Sequence, residues 1–312
     1  MMRAVILGAA AGGGFPQWNS NAEGCRRARA GDPAAKPRHQ ASLAVSADGD
    51  HWFILNATPD LRAQIERAPF LHPRHGLRST PIAGIVLTDG NVDAIAGLLN
   101  LREREAFTIY ATGSVLGVLD ENPIFEVLAR DVVAREAVTL DVARPLRLVD
   151  GQPSGLALTL FAVPGKVPLY LERPGEAPAI IEGEETVGAM ISDGAKRLFF
   201  IPGCARVTPA LLARLDPSTP GGADALFFDG TLWRDDEMIR AGIGSKTGRR
   251  MGHISVGGED GTLAAFRDCP IPHRILVHIN NSNPILLADS PEHAAVLAAG
   301  WRVGEDGMEI TL

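Results

Sequence analysis

Short apolar runs recur along the whole chain. RAVILGA (3–9), ASLAVS (41–46), HWFILNA (51–57), AGIVLTD (83–89) and FTIYAT (107–112) are followed by LALTLFAV (156–163), VGAMIS (187–192), RLFFIPG (197–203), ADALFFDG (223–230), RILVHIN (274–280) and MEITL (308–312). Several are unbroken apolar stretches, as in strands covered on both faces. Helix starts carry one repeated device, a capping residue followed by proline. Thr58-Pro59, Asn122-Pro123, Thr208-Pro209 and Ser290-Pro291 each place a side-chain oxygen before a residue whose φ is already near helical. The last of these helices should stop near Gly300. Strands come in groups and helices are spaced irregularly, so two sheets with helices outside fit better than one doubly wound sheet. There is no internal repeat and no linker. The stretch ERPGEAPAIIEGEE (172–185) reads as a surface excursion, and residues 1–312 as a single domain.

Composition narrows the class. A chain of 312 residues, 46% hydrophobic and 21% charged, suits one large α/β domain or two small ones with a sizeable core. A net charge of −7 with no basic run argues against nucleic acid or an anionic membrane as the main partner. The arginines of CRRARAG (25–31) and TGRRMG (247–252) read as solvated surface. Cys25, Cys204 and Cys269 are far apart and form no CxxC pair, which suits a reducing compartment. The N-terminal apolar run is too short for a secretory core, and no later segment reaches about 18 apolar residues. A cytoplasmic protein without membrane insertion is expected.

Three stretches hold candidate chemistry. GAAAGGGFPQW (8–18) follows a strand, as a dinucleotide loop would, but no helix opens after it and no acidic strand end lies at the right distance. A tight loop packed beneath a substrate pocket is the better reading. The turn Asp89-Gly90-Asn91-Val92-Asp93-Ala94 has oxygens at alternate positions, like the start of a calcium loop. Ala94 and Asn100 stand where that loop needs glycine and glutamate, and an apolar helix is expected there instead. In the C-terminal half, Asp229, His253 and His278 sit at strand ends or in glycine loops, with Asn280, Asn281 and Asn283 close behind. With Asp93 they form a constellation of the kind that gathers along one edge of an α/β sheet. His39, His51, His72, His75, His273 and His293 have no motif around them and read as surface or packing residues.

Taken in order, strand–TDGNVDA–helix, VPGKVPLY (163–170), FFIPGCARV (199–207), FFDGTLW, GSKTGRRMGHIS and VHINNSNP resemble the metallo-β-lactamase superfamily. Together with LGAAAGGGFPQWN, they resemble the PqqB family of pyrroloquinoline quinone (PQQ) biosynthesis proteins within it. The likeness runs from residue 3 to residue 312. It implies a four-layer αββα sandwich with its active site along one edge of the sheets. Metal-using relatives carry His-x-His-x-Asp-His in the turn, where this chain has Asp89, Asn91, Asp93 and Ala94. Lys166 stands at another expected histidine, and a bridging aspartate falls near Cys204. His278 matches the last ligand, and Asp229 and His253 match a proton-transfer pair.

The resemblance therefore implies one weakly held Fe(II) or Zn(II) on Asp93 and His278, with Asp89 and Asn91 as further donors. Three protein ligands are the usual minimum for a catalytic zinc. Relatives carry a cysteine cluster near the N-terminus of which only Cys25 remains, so no structural zinc is expected. Lys166, Lys246, Arg250, Asn280, Asn281 and Asn283 would hold a carboxylate-rich substrate. Two roles stay open: an oxygenase hydroxylating the tyrosine of a peptide-derived Glu–Tyr intermediate, and a metal-free carrier of PQQ or its precursor. A metallohydrolase is disfavoured by the depleted turn. Other PQQ-biosynthesis proteins as partners and a homodimer are both compatible with the family.

Overall fold

The computed structural model describes residues 1–172 and 179–312. Residues 173–178 of the expected surface excursion lie outside the described residues. The strands are β1 (Arg3–Gly8), β2 (Ser42–Ser46), β3 (Trp52–Leu55), β4 (Ile82–Val86), β5 (Phe107–Ala111), β6 (Val133–Ala137) and β7 (Arg144–Arg147). They continue with β8 (Pro153–Gly165), β9 (Ile181–Ser192), β10 (Arg197–Ile201), β11 (Ala225–Asp229), β12 (His273–Val277), β13 (Arg302–Val303) and β14 (Glu309–Thr311). They build two seven-stranded sheets, ordered β14-β1-β2-β3-β4-β5-β6 and β13-β12-β11-β10-β9-β8-β7.

Each sheet is half antiparallel and half parallel. In the first, β14, β1, β2 and β3 pair antiparallel, and β3 through β6 pair parallel. In the second, β7 through β10 pair antiparallel, and β10 through β13 pair parallel. Parallel neighbours need crossovers, which carry helices over the outer faces.

The apolar runs are long because each strand feeds two cores. Leu198, Phe200, Phe227 and Val277 face the other sheet, where they meet Leu43, Val86 and Tyr110. Phe199, Phe228 and Leu276 face outward against Leu211, Phe266, Val296 and Trp301. On the opposite side, Ile54, Ile85 and Ile109 pack against Leu61, Val115 and Leu119. The order of layers is helix, sheet, sheet, helix, the αββα sandwich of the metallo-β-lactamase fold.

Two of the four Pro-marked helix starts are capped by the expected side chain. Thr208 Oγ1 accepts from Leu211 N at 3.1 Å, and Ser290 Oγ accepts from His293 N at 3.0 Å. Each such cap contributes about 1 kcal/mol. The other two differ. After Thr58-Pro59 the helix is Leu61–Arg67, entered from Asp60 without a side-chain cap. After Asn122-Pro123 the chain forms only a 3-10 turn, Pro123–Val127. The helix expected after Asp89 is also a single α-turn, Val92–Ile95, continued by the 3-10 segment Ala96–Leu101. Gly97 N donates to Ala57 O at 2.8 Å instead of to the helix, and a Cβ there would lie 2.0 Å from the Thr58 carbonyl oxygen.

β6, β7 and β13 were not foreseen. The first two carry charged or proline residues, β6 being only partly buried and β7 exposed except at Leu146, and β13 is two residues long. They lie toward the sheet edges, where burial no longer selects an apolar pattern and proline is tolerated. Residues 181–185, expected to be excursion, open the long strand β9.

Phe266 stacks edge-on between Phe228 and Trp301, with centroids 5.2 and 5.6 Å away. Phe266→Ala should cost about 3–5 kcal/mol, read as a drop in unfolding free energy in urea. A loss below about 1 kcal/mol would show that the outer core does not depend on this ring.

Candidate functional site

The parallel halves of the two sheets end at the same side of the sandwich, and loops at the carboxyl ends of parallel strands are the usual place for ligands. A cavity there is lined by Asp89, Asn91, Asp93 and Ala94 after β4 and by Lys166 after β8. Gly203 after β10, His253, and His278 after β12 complete the wall, with Lys246 at the same cavity.

Asp229, the last residue of β11, has no exposed surface. Its Oδ1 accepts from Thr231 N at 3.0 Å and Thr231 Oγ1 at 2.6 Å. Its Oδ2 accepts from Cys204 N at 2.8 Å and from His253 Nδ1 at 2.7 Å. Four donors saturate the carboxylate. Although Asp229, His253 and His278 offer ligand atoms within 4.8 Å of one another, Asp229 has no lone pair left for a metal. It orients His253, whose Nδ1–H points to the carboxylate and whose Nε2 is left for the cavity.

Thr231 joins the two imidazoles. Its hydroxyl proton goes to Asp229, the shortest contact, so its oxygen accepts from His278 Nδ1 at 2.9 Å. The same hydroxyl lies 2.9 Å from the His278 carbonyl oxygen, a second acceptor for its one proton. The rings of His253 and His278 stack with centroids 5.1 Å apart. With its Nδ1 proton held, His278 turns Nε2 toward Asp93 Oδ2, 3.0 Å away. Its backbone sits at φ +55°, a left-handed geometry that costs a non-glycine residue about 1–3 kcal/mol.

A lone pair and a carboxylate oxygen facing each other at that distance require a positive charge between them. Either a proton or a metal ion serves. Burial opposes a charged His278, yet the Asp93 carboxylate, with Asp229 and Asp89 beyond it, raises its pKa above the usual histidine value. Burial likewise opposes the charge on Asp93, and His278 outweighs it, so the Asp93 carboxyl is lowered. Two ligands about 2.0–2.1 Å from a tetrahedral zinc stand about 3.3 Å apart. The pair therefore fits a divalent cation after a few tenths of an ångström of opening. Ala94 lines the same cavity and is 2% exposed, but it brings no donor.

Asp89 reaches the cavity, but its Oδ1 already accepts from the backbone and side-chain nitrogens of Asn91, both at 2.8 Å. Burial, and then the charge on Asp93, push its carboxyl upward. Asn56, at φ +63°, accepts from Thr88 N at 3.0 Å and clamps the start of the turn. The glycine-rich loop lies behind Asp93: a Cβ on Gly12 would meet Asp93 Oδ2 at 3.3 Å. Ala11 N donates to Ile279 O at 2.8 Å, tying this loop to the end of β12.

Other sequence candidates lie elsewhere. Asn283 donates to the Gly230 carbonyl at 2.8 Å and caps the turn at Ile285. Asn280 and Asn281 line a different cavity, with Gln17 and Met238. Asn280 donates to Ser282 Oγ at 2.6 Å, and Asn281 donates to Gln17. The asparagines after His278 therefore do not share its cavity, because the chain turns away behind β12. The Cys204 side chain enters the outer core rather than the site, and its thiol is pushed up by burial and then by Asp229. Arg250 does not line the cavity; it engages Glu172 at 3.0 Å, as does the cavity-lining Lys166 at 2.7 Å. Among the remaining histidines, His39 pairs with Asp306, His51 with Asp48, and His72 and His293 with backbone carbonyls.

Residues 51–279 match the family model described as a β-lactamase superfamily domain, so the fold and its edge cavity belong to that superfamily. Curated relatives identify the branch. The chain is 61% identical to the coenzyme PQQ synthesis protein B of Gluconacetobacter diazotrophicus and 56% identical to that of Gluconobacter oxydans. These matches cover 100% of this chain and 100% and 99% of those proteins. The chain belongs to the coenzyme PQQ synthesis protein B family. A crystal structure of zinc-bound PqqB from Methylobacterium extorquens superposes with a TM-score of 0.93 at 52% identity, over 99% of this chain and 100% of that one. A diphosphatase of the PhnP family shares the fold, with a TM-score of 0.68 at 19% identity, over 100% of this chain and 98% of that one.

Thr231 and Glu172 were missed at the level of sequence. Thr231 lies two residues after Asp229, the spacing at which a hydroxyl returns to a carboxylate. Glu172 opens a Gly/Pro/Glu-rich stretch, which hid it.

Thr231→Val keeps the shape but leaves Asp229 and His278 Nδ1–H short of partners. It should lower unfolding free energy by about 1–3 kcal/mol and change the His278 tautomer seen by 15N NMR. Unchanged imidazole signals would refute the hub role. Glu172 makes a second prediction. Hydrogen bonds from Arg250 and then Lys166 hold its carboxyl at about 2, below its usual 4.5. A lowered carboxyl stabilises the fold above pH 4.5, and that stability is lost as pH falls toward 2. Urea titrations of Glu172→Gln should show a shallower decline over that window than the parent protein, and parallel curves would contradict the ion pair.

Proposed function

We propose that this protein acts in PQQ biosynthesis as a metal-dependent hydroxylase of the tyrosine ring in a peptide-derived Glu–Tyr intermediate. The observation that carries the reading is the convergence of an Asp93–His278 pair and an Asp229-oriented His253 on one cavity with lysines at its rim. The names borne by the curated relatives support the pathway, and a zinc-bound relative supports metal binding within the family.

Asp93 and His278 would hold the ion, Fe(II) or Zn(II), leaving other positions to water or substrate oxygens. Iron bound there supplies oxygen activation, for which an open sphere of imidazole and carboxylate is suited. The chain's own residues prepare the substrate. His253 Nε2 faces the cavity and accepts the phenolic proton, while Asp229 stabilises the imidazolium that results. Lys166 and Lys246 hold substrate carboxylates and so set which ring position lies nearest the ion.

A second reading is favoured by one observation. Ala94 leaves the metal with two protein ligands, and a site without metal would suit a carrier of PQQ or its precursor. The two readings diverge on Asp93→Ala. The hydroxylase loses bound metal and turnover, whereas the carrier keeps its affinity for PQQ in calorimetry.

Metal analysis after anaerobic Fe(II) reconstitution should find about one ion per chain, lost in Asp93→Ala. Finding none would overturn the hydroxylase. Ala94→His adds the missing donor and should tighten zinc binding by at least tenfold in a chelator competition. No change would show that the cavity is not shaped for a metal.

A further inference from the structure

Lys166, which lines the cavity, forms a closed ionic group with Glu172 and Arg250, which lie behind its wall. Lys166 follows the end of β8, and its stem passes over Gly252, where a Cβ would meet Lys166 Cγ at 3.3 Å. Gly252, at φ +90°, ends the short helix Gly248–Met251; Met251 and Gly252 line the cavity, and Arg250 reaches Glu172 from behind them. Glu172 lies between the two cations. Its Oε1 accepts from Lys166 Nζ at 2.7 Å and its Oε2 from Arg250 Nη2 at 3.0 Å. The three side chains are 13%, 9% and 31% exposed for Lys166, Glu172 and Arg250, so this is not a loose surface pair. Arg250 Nη1 is buried and has no acceptor among the described residues.

The chain between these residues straps the opening. Leu169 lines the cavity, and Tyr170 Oη donates to Gly90 O at 2.5 Å, within the turn that carries Asp93. Leu169, Tyr170 and Leu171 remain 58%, 46% and 47% exposed, an apolar stretch in water with little packing to hold it. The fastening of this strap is polar: Glu172 at one end and Tyr170 in the middle.

A carboxylate held bidentately by an ammonium and a guanidinium is the arrangement a carboxylate ligand would adopt. We propose that Lys166 and Arg250 form a carboxylate-binding subsite of the cavity, and that Glu172 is its resting occupant, displaced when a substrate carboxylate enters. The proposal rests on the reading above of a carboxylate-rich substrate and adds where one carboxylate sits and what it replaces. Exchange of one carboxylate for another leaves the charge around Lys166 and Arg250 unchanged, so neither cation is left buried and unpaired. Lys246, which has no ion pair among the described residues, stands at the same cavity for a second carboxylate. Because Glu172 competes with the ligand, the apparent affinity is reduced by the fraction of time the subsite is closed.

The test uses the full chain, with PQQ, a tricarboxylate, and glutarate as separate probes in calorimetry. Glu172→Gln should tighten both by about tenfold, and Lys166→Met in the Glu172→Gln background should abolish the gain. Affinity for glutarate unchanged in Glu172→Gln, or a gain that survives Lys166→Met, would overturn the proposal. Hydrogen exchange in the parent protein needs no variant: backbone amides of residues 167–172 should exchange faster once glutarate is bound. Slower or unchanged exchange would also overturn it. If glutarate behaves as expected and PQQ does not bind, the subsite stands and the PQQ reading falls. If PQQ binds the parent protein and Glu172→Gln changes neither probe, the reverse holds.

Discussion

The geometry of the site depends on one buried carboxylate. Asp229 ends β11 with no exposed surface and takes four hydrogen bonds, from Thr231 twice, Cys204 and His253. A buried charge is tolerable only when its lone pairs are filled. Here the donors come from the loop after β10, from β11's own continuation, and from the loop carrying His253. Satisfying Asp229 therefore fixes three loops at once. Through Thr231 it also fixes the proton on His278, which leaves Nε2 facing Asp93.

This arrangement explains why the cavity has two walls of different character. On one, Asp89, Asp93 and His278 form a region that needs a cation, and the raised His278 and lowered Asp93 are the electrostatic expression of that need. On the other, Lys166 and Lys246 face the cavity, with Arg250 behind the Glu172 contact. The N-terminal loop passes close behind Asp93 at Gly12, where a Cβ would meet Asp93 Oδ2 at 3.3 Å.

Much of the fold could be read directly from the order of residues. The central strands are unbroken apolar runs because both their faces are buried, and Thr208 and Ser290 cap helices as their position before proline suggests. The failures have separate causes. β6, β7 and β13 are edge strands of their sheets, where the apolar signal weakens, and in the turn after Asp89 the Gly97 amide bonds to Ala57, a partner remote in sequence that no local pattern records.

The sequence by itself determined eleven of the fourteen strands, singled out Asp93, Asp229, His253 and His278 as candidates, and carried the likeness to a family. The strands follow from apolar patterning and the likeness from motifs in chain order, and both survive without knowing which loops meet. Only the tertiary structure decided that Asp93, 185 positions from His278, lies 3.0 Å from it. It alone showed that Asp229 is filled, that Asn280, Asn281 and Asn283 turn away from the cavity, and that Glu172 closes on Lys166 and Arg250. Hydrogen-bond saturation and loop convergence depend on distances between segments remote in the chain, and those distances exist only once two sheets have packed face to face.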